Sequence, residues 1–250
     1  MCAGRTLAHG VVTGERALAR IGVTGYKPGH MQATNTAILV GATGLVGRAL
    51  LGQLLVDPRF VAVIVLGRRA CGVEHEKLRE HVVDFGQPAT WAGLVRGDVL
   101  FSALGTTLKA AGSQAAQYEV DYTYQLRVAE AARANGTETY VLVSSVGSSP
   151  KSRVFYSRMK GELERDTAAL GFTRTRFLLP GPLDGDRQQH RPGERWTLRL
   201  LRPLASVLPA VVRPIHAEIV ARAGIAAAFD PAPGVLRLAA ADLFRRGTPA

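Results

Sequence analysis

Short apolar runs alternate with stretches of helical periodicity along the chain from residue 37 onward. A short run of consecutive apolar residues is typical of a strand that is buried on both faces of a parallel sheet. On this basis we predict six strands, at residues 37–40, 61–66, 82–85, 99–104, 140–145 and 175–179. Two longer periodic stretches predict helices over residues 114–135 and 156–170, which are closed by Gly136 and Gly171. The alternation predicts an α/β fold built on a doubly wound parallel sheet.

Residues 34–250 are predicted to form a single domain, because an α/β fold of this length is commonly one unit. Within it, residues 184–250 are rich in proline and are expected to contribute a small helical and loop cap over the carboxyl ends of the strands. Residues 1–33 lack sustained periodicity and are predicted to be a disordered extension, or to precede a true start at Met31. This segment is basic and poor in acidic residues, so an organelle-targeting leader remains an alternative.

A glycine-rich turn follows the first predicted strand, and helical periodicity resumes after it. Strand, tight turn and helix in this order are the parts of a dinucleotide-binding Rossmann fold. Gly41 lets the chain reverse, Gly44 lets a phosphate approach backbone N–H groups, and Gly47 lets the helix lie close to the strand. The residues predicted to bind the cofactor in this turn are Gly41, Ala42, Thr43, Gly44, Leu45, Val46 and Gly47.

The end of the second predicted strand favours NADP(H) over NAD. An NAD-binding fold usually places an acidic residue about 20 positions after the glycine turn, where it holds the ribose 2′-hydroxyl. Here Arg68 and Arg69 stand at that place, and the only carboxylate between Gly47 and Arg69 is Asp57, in a loop before a proline. A pair of cations at this position favours a 2′-phosphate.

The next two strand ends add further candidate cofactor contacts. Asp84 is predicted to accept a hydrogen bond from the adenine amino group and Phe85 to form a wall beside the ring, although a strand-end acid next to a core aromatic is an equal alternative. After the fourth strand, small residues leave room for the pyrophosphate and the nicotinamide ribose. These residues are Ala103, Leu104, Gly105 and Thr106.

Tyr156, Lys160 and Ser145 form the predicted catalytic set. Tyr156 and Lys160 are four residues apart on a predicted helix and therefore share a face. A phenol with a reference pKa of about 10 needs a nearby cation to act as an acid–base group at neutral pH, and Lys160 can provide that charge. Ser144 and Ser145 end the preceding strand, and we prefer Ser145 as the group that holds a carbonyl oxygen, because it lies further past the strand.

The composition of the chain limits the partners, metals and cellular location that we expect for it. The net charge of +11 comes almost wholly from arginine, which makes an anionic ligand worth considering, but no nucleic-acid motif accompanies it. No apolar run is long enough to span a bilayer, so no membrane partner is expected. Cys2 and Cys71 fit no metal or redox spacing, and the six histidines form no ligand pair, so no metal site is predicted. Two isolated cysteines suit a reducing compartment, and a cytoplasmic location is therefore expected.

The glycine turn, the arginine pair and the Tyr156–Lys160 spacing together resemble the atypical short-chain dehydrogenase/reductases. Further stretches, at residues 104–107, 120–124, 144–147 and 186–194, make the chain similar to the narrower HTATIP2/TIP30-like oxidoreductases, over about residues 37–228. This resemblance implies an NADPH-binding Rossmann fold in which Tyr156 donates or accepts the proton, Lys160 assists it, and Arg68 and Arg69 bind the 2′-phosphate. Many members of the superfamily carry an asparagine on the helix before the fifth strand, where this chain has Asp121.

We therefore expect an NADP(H)-dependent oxidoreductase that transfers a hydride to or from a small carbonyl or alcohol. A regulatory protein that senses NADPH with little turnover is one alternative, and an epimerase or isomerase that retains its cofactor is another. Besides a small-molecule substrate, a homodimer or a protein partner is left open.

Overall fold

Seven parallel strands form the central sheet of the protein, in a computed structural model that describes residues 34–184 and 213–248. The strands of this sheet are β1 (Asn35–Val40), β2 (Phe60–Gly67), β3 (Leu78–Val82), β4 (Val99–Ser102), β5 (Thr139–Val143), β6 (Arg174–Leu178) and β9 (Gly234–Leu238). Two short strands, β7 (Leu183–Asp184) and β8 (Ile215–His216), pair with each other in a separate sheet. The longer helices are α1 (Leu45–Val56), α5 (Tyr124–Ala134), α6 (Phe155–Ala168), α7 (Ala217–Ala228) and α8 (Ala240–Gly247). Shorter helices are α2 (Pro88–Trp91), α3 (Leu108–Ala111) and α4 (Gln114–Tyr118), and a 3₁₀ turn spans Ala92–Leu94.

The strand order β3-β2-β1-β4-β5-β6-β9 turns in opposite directions on either side of β1. Ligands of open α/β sheets bind outside the carboxyl ends of the strands at such a switch point. The glycine turn after β1 and the residues after β4 both lie there, because Val40 pairs with Ser102.

Two hydrophobic clusters cover the two faces of the sheet. On one face, Leu50 and Leu54 of α1 pack with Val220 of α7. On the other face, Val128 of α5 packs with Leu163 of α6. The predicted α/β fold with a doubly wound parallel sheet is therefore confirmed. No helix in the described ranges combines the length and apolarity that a bilayer crossing requires.

The third strand was predicted four residues too late. The structure forms it at Leu78–Val82, whereas residues 83–85 follow the strand as a loop. Leu78-Arg79-Glu80-His81-Val82 has no apolar run, because β3 is an edge strand that pairs only with β2. An edge strand is only partly covered, so its hydrophobic signal is weak.

The C-terminal part contains a strand that the sequence pattern did not reveal. β9 pairs with β6 along its length, and α7 contacts α1 on a face of the sheet. These elements of residues 184–250 extend the sheet and its helical layer, which corrects the expectation of a cap for them. The remainder of the expected cap, residues 185–212, and the predicted extension at residues 1–33 lie outside the described residues.

The predicted helix at residues 114–135 is interrupted by a π-helical turn at Glu119–Thr123, which joins α4 to α5. Gly136 then ends the helix with φ +93°, and the Thr137 N–H donates to the carbonyl oxygen of Ala132. The predicted role of Gly136 as helix terminator is thus confirmed. The π-turn brings the side chain of Asp121 into the cleft at the carboxyl ends of the strands.

Candidate functional site

The glycine turn fits closely against the end of β4. Gly41 has φ +88°, and a Cβ on this residue would lie 2.4 Å from the carbonyl carbon of Ala103. A Cβ on Gly47 would lie 1.9 Å from the Gly41 carbonyl oxygen. The Gly44 N–H donates to that same oxygen at 2.9 Å. At Gly41 and at Gly47, the turn therefore has no space for a side chain larger than a hydrogen atom.

The amino end of α1 opens into the cleft without a side-chain cap. Gly44 is the N-cap residue, and the first turn of α1 contains no acidic residue. The N–H groups of this turn and the positive end of the helix dipole are therefore available to an anion. Six of the seven predicted turn residues line the cleft, and Gly47 is buried behind them. The six are Gly41, Ala42, Thr43, Gly44, Leu45 and Val46.

Arg68 and Arg69 follow β2 and line the same cleft. Both side chains are exposed, and neither forms an ion pair with any described residue. The charge of Arg68 acts to lower the pKa of the Tyr124 hydroxyl, and Tyr124 also lines the cleft. The two guanidinium groups are thus free to bind an anionic ligand at this end of the cleft.

Asp84 and Phe85 have different environments. Phe85 is buried, stacks on Tyr124 with ring centroids 5.7 Å apart, and lines the cleft. The Asp84 carboxylate instead accepts from the Gly86 N–H at 2.8 Å and from the Gln87 amide at 3.2 Å. Asp84 is absent from the described lining of the cleft, so the structure brings Phe85 but not Asp84 to it.

Residues 103–106 all line the cleft, and Asp121 holds this segment. The Thr106 N–H donates to the Asp121 carboxylate at 2.6 Å. Burial raises the pKa of the Asp121 carboxyl, while the charge of Lys160 and the Thr106 N–H act in the opposite direction. The π-turn carbonyl of Asp121 accepts from the amide of Gln125, whose own oxygen accepts from Ser102. Asp121 therefore holds the loop after β4, and it lies near enough to Lys160 for the charge of the lysine to act on its carboxyl.

Tyr156, Lys160 and Ser145 line the cleft together. Tyr156 is 39% exposed, whereas Lys160 is only 3% exposed. Within the described part of the chain Lys160 donates no hydrogen bond, and it lines the cleft near Asp121, so its ammonium group is available to a ligand. The Ser145 hydroxyl makes one weak contact, 3.3 Å to the Val146 carbonyl oxygen.

Glu164 lies behind the described cleft lining, where it contacts Ser144, and the sequence analysis missed it. It follows Lys160 by one helical turn and is 2% exposed. Its carboxylate accepts hydrogen bonds from Ser144 and Ser148 and pairs with Arg237 of β9 at 2.7 Å. The spacing Tyr156-x-x-x-Lys160-x-x-x-Glu164 is the signal that could have identified it. The bond to Glu164 occupies the Ser144 hydroxyl, and this leaves Ser145 as the freer of the two serines.

Residues 37–163 match the family model described as NAD dependent epimerase/dehydratase family. The mitochondrial protein fmp52 of Aspergillus fumigatus is 37% identical over 208 residues, which are 78% of this chain and 88% of that protein. The mitochondrial protein FMP52 of Candida glabrata is 41% identical over 63% of this chain and 68% of its own length. The structure of MoeE5 in complex with UDP-glucose and NAD superposes with a TM-score of 0.63 at 18% identity, covering 82% of this chain and 76% of that chain. At this identity, the last comparison shows the fold alone.

The names of the fungal relatives contradict the expected cytoplasmic location, since both relatives are described as mitochondrial. The expectation was wrong because it used only the scarcity of cysteines, and a reducing environment is not restricted to the cytoplasm.

Proposed function

The chain belongs to the NAD dependent epimerase/dehydratase family, and from that membership we propose that it is an NADP(H)-dependent oxidoreductase of the short-chain dehydrogenase type. Its substrate is a small carbonyl compound or alcohol. One observation carries this proposal: a single cleft is lined by the uncapped amino end of α1, by Arg68 and Arg69, and by Ser145, Tyr156 and Lys160.

The residues of the cleft fit a dinucleotide along its length. The amino end of α1 would hold the pyrophosphate, since it offers N–H groups and no competing side chain. Arg68 and Arg69 would bind the 2′-phosphate, and residues 103–106 would lie along the nicotinamide ribose. Phe85 would border the adenine from the buried side.

Each member of the catalytic set has a distinct role. Bound NADP(H) supplies or accepts the hydride. Tyr156 would donate or accept the proton at its hydroxyl oxygen, and the ammonium group of Lys160 would stabilise the phenolate and bind a ribose hydroxyl. Ser145 would hold the substrate oxygen, which fixes the carbonyl for both transfers. Lys160 lies near enough to the Asp121 carboxyl for its charge to act on that group, and this places an acidic neighbour beside the lysine in the cleft.

The test is a fluorescence titration of NADPH and NADH into the wild type and into the Arg68→Ala/Arg69→Ala variant. A hydrogen bond to a charged group contributes roughly 1.5–3 kcal/mol, so losing the arginines should weaken NADPH binding about tenfold to a hundredfold. NADH binding should change little. The Arg96→Ala/Arg245→Ala variant, which removes two positive charges outside the described cleft lining, is the control. Equal losses for both nucleotides, or for the control variant, would refute the assignment.

An epimerase that retains its cofactor is the second candidate. The family description includes epimerases, and MoeE5 was solved with both UDP-glucose and NAD. This candidate predicts that the purified protein carries a tightly bound nucleotide and converts UDP-glucose without net oxidation of NADPH. Chromatography of the nucleotides released on denaturation distinguishes it from a reductase, which exchanges its cofactor at each turnover.

Two narrower statements belong to the proposal. The resemblance to HTATIP2/TIP30-like oxidoreductases rests on the motifs of the sequence itself. A mitochondrial location is supported by the names of the fungal relatives and by the basic, acid-poor composition of residues 1–33. Fractionation of cells expressing the full chain, with and without residues 1–33, tests the location.

A further inference from the structure

Charge is unevenly distributed along the cleft. The exposed cations Arg68 and Arg69 lie after β2. Glu119 lines the same end, where it hydrogen-bonds to Tyr124 and raises the pKa of that hydroxyl, whereas the charge of Arg68 acts to lower it. The exposed Arg48 follows the glycine turn in α1. The remaining charged lining residues of the described chain are Asp121 and Lys160, which lie near each other at the Tyr156 end of the cleft. Both of these are almost completely buried. The part of the cleft around Tyr156 therefore exposes no charged side chain among the described lining residues.

Apolar side chains border this uncharged end. Val154 is 62% exposed and Leu108 is 48% exposed, although both line the cleft. Val154 lies directly before Phe155 and Tyr156, and Leu108 follows the loop after β4. Pro180, Pro182 and Leu183 complete the border from the β6 side. Their position beside Ser145 follows from the hydrogen bond of the Val146 N–H to the Pro180 carbonyl oxygen.

A ligand that covers exposed apolar side chains removes them from water, and this burial of apolar surface favours binding. The polar lining residues at this end are the catalytic set of Ser145, Tyr156 and Lys160, together with uncharged side chains that include Thr107, Gln114 and Gln117. Among the described lining residues after β4, β5 and β6, Lys160 is the only one with a positive charge, and the proposed reaction already uses it.

We propose that the substrate is an uncharged carbonyl compound or alcohol whose body is apolar, an alkyl or aryl group that lies between Val154 and Leu108. This inference deepens the proposed function and rests on it. On this proposal, acidic and phosphorylated carbonyl compounds bind more weakly than apolar ones.

The experiment measures binding rather than turnover, by ligand-observed NMR with the NADPH-loaded protein. The probes are the methyl ketones from 2-butanone to 2-nonanone, and 4-oxopentanoate as a carboxylate-bearing analogue. Each methylene buried should raise the affinity about fourfold until the chain outgrows the cleft. The carboxylate should bind more weakly than the ketone of similar length.

Isosteric variants locate the contact. Val154→Thr and Leu108→Asn should each weaken the longer ketones about threefold or more, because each replaces buried apolar surface by a polar group. Val56→Thr is the matched control, since Val56 is 76% exposed at the end of α1 and outside the described cleft lining. NADPH titrations of all variants should agree with the wild type.

The outcomes separate the two claims. Affinity that does not rise with chain length, tighter binding of 4-oxopentanoate, or an equal effect of Val56→Thr would overturn the apolar substrate class while leaving the cofactor assignment intact. Failure to bind NADPH would overturn the proposed function, and the ketone series would then be measured on the nucleotide-free protein. Ketone binding without turnover would support the substrate class and count against the reductase.

Discussion

Two glycines of the same helix provide a sharp test of the glycine turn. A Cβ on Gly47 would lie 1.9 Å from the Gly41 carbonyl oxygen and 2.7 Å from its carbon, whereas a Cβ on Gly52 would meet nothing within 4 Å. Both residues lie in α1, so Gly→Ala changes helix propensity at both by a similar amount. The difference between the two variants therefore isolates the close approach of α1 to the turn.

The expected free energies have opposite signs. Gly52→Ala should stabilise the protein by roughly 0.5–1 kcal/mol, because alanine is the better helix former. Gly47→Ala should destabilise it by about 1–3 kcal/mol, the usual range for overpacking, since the obstacle is backbone and cannot rotate away. For a domain of this size, 1 kcal/mol corresponds to about 2–4 °C in Tm.

Urea denaturation followed by circular dichroism gives both free energies of unfolding, and an NADPH titration gives the affinity. Gly47→Ala should also weaken NADPH, because α1 must move away from the turn that faces the cleft. Gly52→Ala should leave that affinity unchanged. If Gly47→Ala proves as stable as Gly52→Ala and binds NADPH equally well, the proposed reason for glycine at this position is incorrect.

Four further predictions concern polar groups of the core and of the cleft. Because burial raises the pKa of Asp121, its ionised form destabilises the fold, so Asp121→Asn should raise the Tm at pH 7, and the difference should vanish as the pH falls below the ordinary carboxyl value of 3.8. Ser144→Ala should lower stability by about 1 kcal/mol, since it removes a hydrogen bond to buried Glu164. Ser145→Ala should leave stability within about 0.5 kcal/mol but reduce carbonyl turnover by roughly a hundredfold. Arg176→Met should cost about 3 kcal/mol or more in urea denaturation, because its buried guanidinium donates to five backbone carbonyls that would lose their donor.

The strands beside the switch point could be predicted from the sequence, and the edges of the sheet could not. β1, β4 and β5 are almost wholly buried, so their apolar runs are unambiguous. β3 and β9 are edge strands with charged residues in the middle, Glu80 and Arg237, and their pattern resembles that of a loop. Their places depend on pairing with distant strands, which a local pattern does not encode.

The residues that face the cleft were predictable for a related reason. Parallel strands end at the same edge, so Arg68, Ser145 and the turn after β1 converge once the strand order is known. Asp84 failed this reasoning because β3 ends at Val82, and the carboxylate is used within its own turn instead. A shift of the strand end by three residues was enough to remove it from the cleft.

The residues that pack behind the catalytic set could not be predicted from the local sequence, because they come together only in the folded protein. Glu164 lies on the same face of α6 as Tyr156 and Lys160, but its partner Arg237 is 73 residues further along the chain, on a strand with no clear signal. The carboxylate is buried between α6, the loop after β5 and β9, so three elements must pack before it has its counter-charge. Removing Arg237 would leave the buried Glu164 carboxylate without its counter-charge, which is strongly unfavourable. The position of Ser145 relative to Tyr156 therefore depends on the last strand of the sheet as well as on the motif that contains them.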